Sequence, residues 1–333
     1  MYTVADLKLL SLAVGSNLPG YTPRCWVRDS MEPEEEASII SKFVAELEAI
    51  HLKKLSNIPE WIIEGIVNLE EEIAQLKSEN RKWWEYSHLS KFKRTLKSLC
   101  KLDVFGFNSA KFDLPTIYAP LISELQSRFG KVEVLRKKSS YMSISTSTIV
   151  FKDALKYSSP CSYSKYLKVW GVTESKSLWP YSLYGNIKEM KAAKKFPPRS
   201  KFASELRGST LPPMCEYIEA KREFARRRLL PKSDSERIKN MKDWLKVYNV
   251  LDVQPLALAI EASFRAYRKF FNVNAMLALS LPSLAQKAMF LDFSHDAPLV
   301  VTFSKDFHFL NLKFRECLYG GLVNVFNNGI TLG

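Results

Sequence analysis

Lys101-Leu-Asp-Val-Phe-Gly-Phe-Asn-Ser-Ala-Lys-Phe-Asp113 passes from an apolar run into a polar turn and on toward a helix. Residues 101–108 read as a strand entering a loop, and residues 113–129 read as a helix containing Pro115. A carboxylate at such a junction, here Asp113, lies at a sheet edge, where sites gather in α/β folds. Downstream, residues 131–136 alternate in polarity and residues 141–153 alternate and then turn continuously apolar, which predicts a further strand and a hairpin. Upstream, residues 7–15 read as a strand, and 16–24 carry turn signals at Pro19, Gly20 and Pro23. Residues 25–27 form a short second strand. Residues 30–51 then read as a helix, with acidic residues crowding its first turn and Ile39, Ile40, Phe43, Leu47 and Ile50 along one stripe.

Ile62, Ile66, Leu69, Ile73 and Leu76 alternate by four and three within a helical stretch at 59–84. The pattern is too short for a coiled coil and predicts a helix packed on its own domain. Helices are also expected at 88–100, 160–170, 214–229 and 233–271, with a long, partly ordered connection over 172–215. Strands interspersed with helices predict an α/β domain around a mixed sheet.

The 333 residues carry a net charge of +14, unevenly placed. Residues 29–79 hold thirteen Asp/Glu against four Lys/Arg, whereas residues 185–232 hold thirteen Lys/Arg against five Asp/Glu. The basic stretch and its approach also contain Trp179, Tyr181, Tyr184, Phe196, Phe202 and Phe224. Cations among aromatic rings suit a single strand, whose phosphates meet the charges while its bases stack. A solvated connector with some buried aromatics would have the same composition. No apolar run reaches the roughly 18 residues of a membrane span. No secretory signal is read at the start of the chain. Cys25, Cys100, Cys161, Cys215 and Cys317 are scattered, which fits reduced thiols in an intracellular protein; the compartment, the nucleus included, stays open. Neither the cysteines nor His51, His88, His295 and His308 have metal-ligand spacing.

Two short elements bear on chemistry. Asn108-Ser-Ala-Lys-Phe112-Asp113 is an Asn-x3-aromatic-Asp element at the strand–helix junction. Tyr248-Asn-Val-Leu-Asp252 is a Tyr-x3-Asp element in a helical stretch, where residues four apart share a face. In this order, about 140 residues apart, they resemble the second and third exonuclease motifs of family B DNA polymerases. The likeness extends in order along almost the whole chain. Gly15-Ser-Asn-Leu-Pro-Gly20, Phe151-Lys-Asp-Ala154, Trp179-Pro-Tyr181, residues 244–256, Leu279-Ser-Leu-Pro-Ser-Leu-Ala285 and Tyr319-Gly320-Gly321 resemble the protein-primed polymerases of Maverick/Polinton transposons, viruses and linear plasmids.

That resemblance implies a ribonuclease H-like 3′→5′ exonuclease domain over residues 1–271, with a basic insertion at about 172–232. Residues 272–333 would lead toward a polymerase palm, with Tyr319, Gly320 and Gly321 as the interdomain motif. It implies Asp113 and Asp252 as ligands of Mg²⁺ or Mn²⁺, and Tyr248 as the group orienting the attacking water. Asn108, Phe112 and Leu155 would hold a single-stranded 3′ end. Lys191, Lys194, Lys195, Arg199, Arg226, Arg227 and Arg228 would line a DNA path or dock a terminal priming protein. Two-metal phosphodiester hydrolysis needs several carboxylates around ions roughly 3.5–4 Å apart.

The chain departs from the family pattern. No Asp-x-Glu precedes Asn108, and Asp234-Ser-Glu236 falls too late to replace it. Only Asp6 offers a carboxylate within residues 1–20. Ala110 and Ala154 stand where the family often has Gly and Ser. The expectation is therefore an exonuclease region with an incomplete two-metal site and an absent N-terminal strand. The alternatives are a non-catalytic nucleic-acid-binding remnant and a free-standing metal-dependent 3′→5′ exonuclease.

Overall fold

The structure is a computed structural model that describes residues 9–292 except 139, 174–176, 204–209, 232–233 and 235. It is a mixed α/β fold. β1 (Ser11–Val14) and β2 (Arg24–Val27) form an antiparallel two-stranded sheet. β3 (Leu102–Gly106), β4 (Glu133–Lys137), β5 (Ser140–Ser145) and β6 (Ile149–Asp153) form a second sheet in the order β3-β6-β5-β4. β3 and β6 run parallel, with Leu102 beside Ile149 and Gly106 beside Asp153. The β5 pairings with β4 and β6 are antiparallel.

α1 (Pro33–Leu55) begins with proline in its first turn and Glu34, Glu35 and Glu36 beside it, and ends on Lys53 and Lys54. Both ends therefore complement the helix dipole. Its buried stripe of Ile39, Ile40, Phe43, Val44, Leu47 and Ile50 packs with α4 (Asp113–Phe129) on one face of the four-stranded sheet. Ile144, Ile149 and Phe151 supply that face, and Leu12, Leu102 and Val104 pack against the same cluster. β1 and β3 thus share one core although they belong to different sheets. Arg28, 1 % exposed, fixes the entry to α1. It pairs with Glu36 at 2.8 Å and donates to the carbonyls of Leu9, Ser30 and Glu32.

The other sheet face carries Phe105, whose ring meets Tyr157 and Phe264 at 5.8 and 5.4 Å. Here Asp103 and Lys152 form a buried ion pair at 2.6 Å, and Lys152 also donates to the Met276 carbonyl. α5 (Tyr163–Val169) and the long α8 (Met241–Phe271) cover this side. Asn240 caps α8 by accepting from the Asp243 amide, and Asn272 ends it in the left-handed conformation.

α2 (Glu60–Ser78) and α3 (Ser87–Cys100) pair through Ile62, Leu69 and Leu96. The helix expected over 59–84 therefore stops six residues early, with Asn80 at φ 57° just beyond it. α6 (Ile187–Ala192) and α7 (Met214–Leu229) pack on α8 through Ile187, Met190, Ala220, Phe224 and Trp244. Much of the stretch expected to be a partly ordered connection is thus core. α9 (Leu281–Asp292) closes the described chain. Val273, Ala275, Ala278 and Leu284 pack around Tyr157, and the first compact unit runs to Ala288, beyond the boundary expected at 271. Tyr319, Gly320 and Gly321 lie outside the described residues. Among the described residues no helix is long and apolar enough to cross a membrane.

Candidate functional site

The loop after β3 turns back on itself at once. A Cβ added at Gly106 would lie 2.5 Å from that of Ser109, so the turn requires glycine there. Asn108 adopts φ 58°, a left-handed conformation that asparagine tolerates better than most residues. The loop is held from the neighbouring strand. Asp153, at the end of β6 and 4 % exposed, accepts from the Asn108 amide at 2.8 Å and the Ala110 amide at 3.2 Å. It also accepts from the Leu155 amide at 3.0 Å. Because β3 and β6 are parallel neighbours, their C-terminal loops emerge side by side, and one carboxylate joins them. Asn108 and Leu155, both expected to touch a single strand, are therefore tied through their backbones to the same side chain. Phe112 is 61 % exposed, and Asp113 opens α4, where the helix dipole favours a carboxylate.

α8 meets this loop from the other side. The Asp252 carbonyl accepts from the Tyr163 hydroxyl, and the Tyr163 ring meets Phe107 edge-on at 5.3 Å. Phe107 directly precedes Asn108, so one tyrosine links the two motifs. The end of β1 approaches the same turn of α8. A Cβ on Gly15 would lie 3.0 Å from Gln254 Oε1 and 3.2 Å from the Val253 carbonyl carbon. Asn249 Nδ2 donates to Ser11 Oγ at 2.8 Å and lies 3.7 Å from Cys25 Sγ. Burial pushes the Cys25 thiol up to about 11, against the opposing hydrogen bond from Asn249.

Tyr248 occupies a different setting from the open cleft its proposed role requires. It is 4 % exposed, its ring lies 6.2 Å from Trp179, and its hydroxyl is hydrogen-bonded to that of Tyr181. Tyr181 itself is 55 % exposed.

The basic stretch divides into engaged and projecting cations. Lys191 pairs with Asp29 at 2.9 Å, and Lys242 holds the same carboxylate, which the two lysines, Lys242 foremost, keep down at about 2. Arg226 and Arg227 each pair with Glu223 at 2.7 Å. Arg228 donates to the Lys194 carbonyl at 2.6 Å, and Arg199 to the Pro212 carbonyl at 2.9 Å. Lys194 and Lys195 are exposed. Trp179, Phe202 and Phe224 are buried, so these rings supply core in place of base stacking.

Among the described residues no group of three or more His, Cys, Asp or Glu is placed to hold a metal ion. Hard divalent ions take about six oxygen ligands, several of them carboxylate when two ions share a site. Asp113 and Asp252 do not complete such a set, and no step through a metal follows from them. Of three further residues here, Tyr163 escaped the sequence reading, while Asp153 and Tyr181 entered it only within Phe151–Ala154 and Trp179–Tyr181, without the roles they have. Asp153 acts on backbone amides, Tyr163 on a carbonyl and a ring, and Tyr181 on another hydroxyl, none of which leaves a spacing pattern. Comparison with protein-family models, curated proteins and solved structures finds no match for this chain.

Proposed function

We propose that the chain is the exonuclease region of a protein-primed family B DNA polymerase, with a ribonuclease H-like fold that binds the single-stranded 3′ end of DNA. The observation that carries this reading is the junction of the two motifs. The loop bearing Asn108, Phe112 and Asp113 is linked to Asp252 of α8 through Phe107 and Tyr163. The sheets add support. Among the described residues β1 pairs only with β2 and β3 only with β6, yet β1 and β3 pack into one core with α1. Two sheets joined by one core fit the mixed α/β domain that this reading requires. An Asp-x-Glu element of the kind the resemblance implies would add carboxylates to Asp113 and Asp252 for Mg²⁺ or Mn²⁺. A terminal priming protein would be a further partner.

Within this chain Asn108 and Leu155 would grip the strand, and the exposed Phe112 ring would pack on its last base. The test compares a labelled linear oligonucleotide with a circular one of the same sequence, which offers no 3′ end. The linear strand should bind more tightly, and Phe112→Ala should remove most of that difference, since stacking on one ring contributes about 1–3 kcal/mol. Equal binding of the two DNAs would overturn the assignment. The burial of Tyr248 against Trp179 favours one second reading, a nucleic-acid-binding module without catalysis.

A further inference from the structure

The segment after α6 is built as a fixed platform. The Met241 amide donates to the Ala193 carbonyl at 2.9 Å, Arg228 to that of Lys194 at 2.6 Å, and the Tyr217 hydroxyl to that of Pro197 at 3.0 Å. α7 and α8 thus hold the backbone from behind, and three exposed lysines project from it: Lys194, Lys195 and Lys201. Among the described residues these three make no ion pair, unlike Lys191, Arg226 and Arg227 close by. They line an open groove of about 570 Å³ together with the half-buried rings of Tyr184 and Phe196 and with Pro198.

Three unpaired lysines lining one groove concentrate positive charge there, and a polyanion passing over it releases its own counterions. The rings and proline give the groove an apolar side that suits a sugar or base. Its volume lies within the range of small-molecule sites, roughly 300–1,000 Å³, and accommodates a nucleotide or two of a single strand. We infer that this groove seats the sugar-phosphate backbone of a single-stranded nucleic acid, with Lys194, Lys195 and Lys201 on successive phosphates. Arg226 and Arg227, already paired with Glu223 and, for Arg227, also with Glu236, lie outside the path. The inference rests on the nucleic-acid reading above and selects, within the basic stretch, the cations that carry it.

Fluorescence anisotropy of a labelled oligothymidylate, measured with the full chain over a range of salt, tests it. Each phosphate neutralised contributes about 0.7 to the slope of log affinity against log salt for a single strand. The triple variant Lys194→Ala, Lys195→Ala, Lys201→Ala should therefore lose about 2 from the slope. The triple Lys→Arg variant should keep it, and Arg226→Ala with Arg227→Ala should leave it unchanged. The lysines are exposed, so an unchanged melting temperature establishes that the variants are folded. A full slope in the triple alanine variant overturns the groove while leaving nucleic-acid binding intact. Absence of salt-dependent binding by the unaltered chain overturns the nucleic-acid reading itself. Lysine-dependent binding to anionic lipid vesicles but not to the oligonucleotide would replace the single strand as occupant.

Discussion

The Asp153 carboxylate holds the Asn108 amide at 2.8 Å across the ends of two parallel strands, and the same carboxylate takes the amides of Ala110 and Leu155. The two oxygens of this side chain meet three N–H donors, whereas an amide side chain turns a donor toward at least one of them. Asp153→Asn should therefore cost about 1–3 kcal/mol, the usual penalty for leaving buried polar groups without partners. Chemical denaturation measures the loss. Hydrogen exchange should accelerate at the amides of Asn108, Ala110 and Leu155 more than elsewhere in the sheet. Uniform acceleration across β3 and β6 would show that Asp153 supports the sheet and not the loops.

Arg28 is the second buried polar anchor. Its guanidinium satisfies the carbonyls of Leu9, Ser30 and Glu32 and pairs with Glu36. Removing one member of a buried charged network costs about 3–5 kcal/mol. Because Glu36 is 23 % exposed and can regain water, Arg28→Ala should fall near the lower end, about 3 kcal/mol. Arg28→Lys should recover less than half, because one ammonium group cannot reproduce the fork of donors. Urea titration of the three proteins decides the order.

Glu223 sets an acid-dependent contribution to stability. Hydrogen bonds from Arg226 and then Arg227 hold its carboxyl down at about 2, against an ordinary value of about 4.3. A carboxyl depressed on folding stabilises the fold above its unfolded value, and that contribution disappears as pH falls through the folded value. The melting-temperature gap between the unaltered chain and Glu223→Gln should be constant above about pH 5 and should close between about 4.3 and 2. A gap that widened on acidification would contradict the pairing.

The regular parts of this fold were legible because their signals are local. The α1 stripe, the strand at 102–106 and the helix from Asp113 follow from periodicity and end chemistry. The end of α2 was legible too, but the helical pattern was read through Asn80, whose left-handed backbone stops the helix. Residues 172–215 were misread for a different reason. Their Pro, Gly and Lys content signals a loop, while Trp179 and Phe202 are buried outside any α-helix or strand and Ile187 and Met190 lie on the six-residue α6, too short to show a stripe in the sequence. Division into two sheets was not legible at all, because pairing between distant strands depends on the assembled core. In the candidate site the sequence supplied Asn108, Phe112, Asp113 and Asp252. It did not reveal that Asp153 holds the Asn108 backbone or that Tyr163 holds that of Asp252.

Catalysis provides the sharpest test of the proposed function. Incubated with Mg²⁺ or Mn²⁺, the chain as given should digest a labelled single strand at a rate orders of magnitude below that of a proofreading exonuclease. Asp113 and Asp252 are two carboxylates where a two-ion site needs about four, and displaced or weakly held ions fail to position the reacting atoms. Tyr248 is buried and its hydroxyl is hydrogen-bonded to that of Tyr181. Fusing a strand that carries Asp-x-Glu ahead of β1 should restore 3′→5′ digestion, and Asp113→Ala should then abolish it. In that restored enzyme Tyr181→Phe should change the rate, because it removes the hydroxyl that Tyr248 is bonded to, while leaving single-strand affinity within about twofold. The decisive result is digestion by the unmodified chain. Robust metal-dependent cleavage that persists in Asp252→Ala would place the activity at another site and end the exonuclease reading.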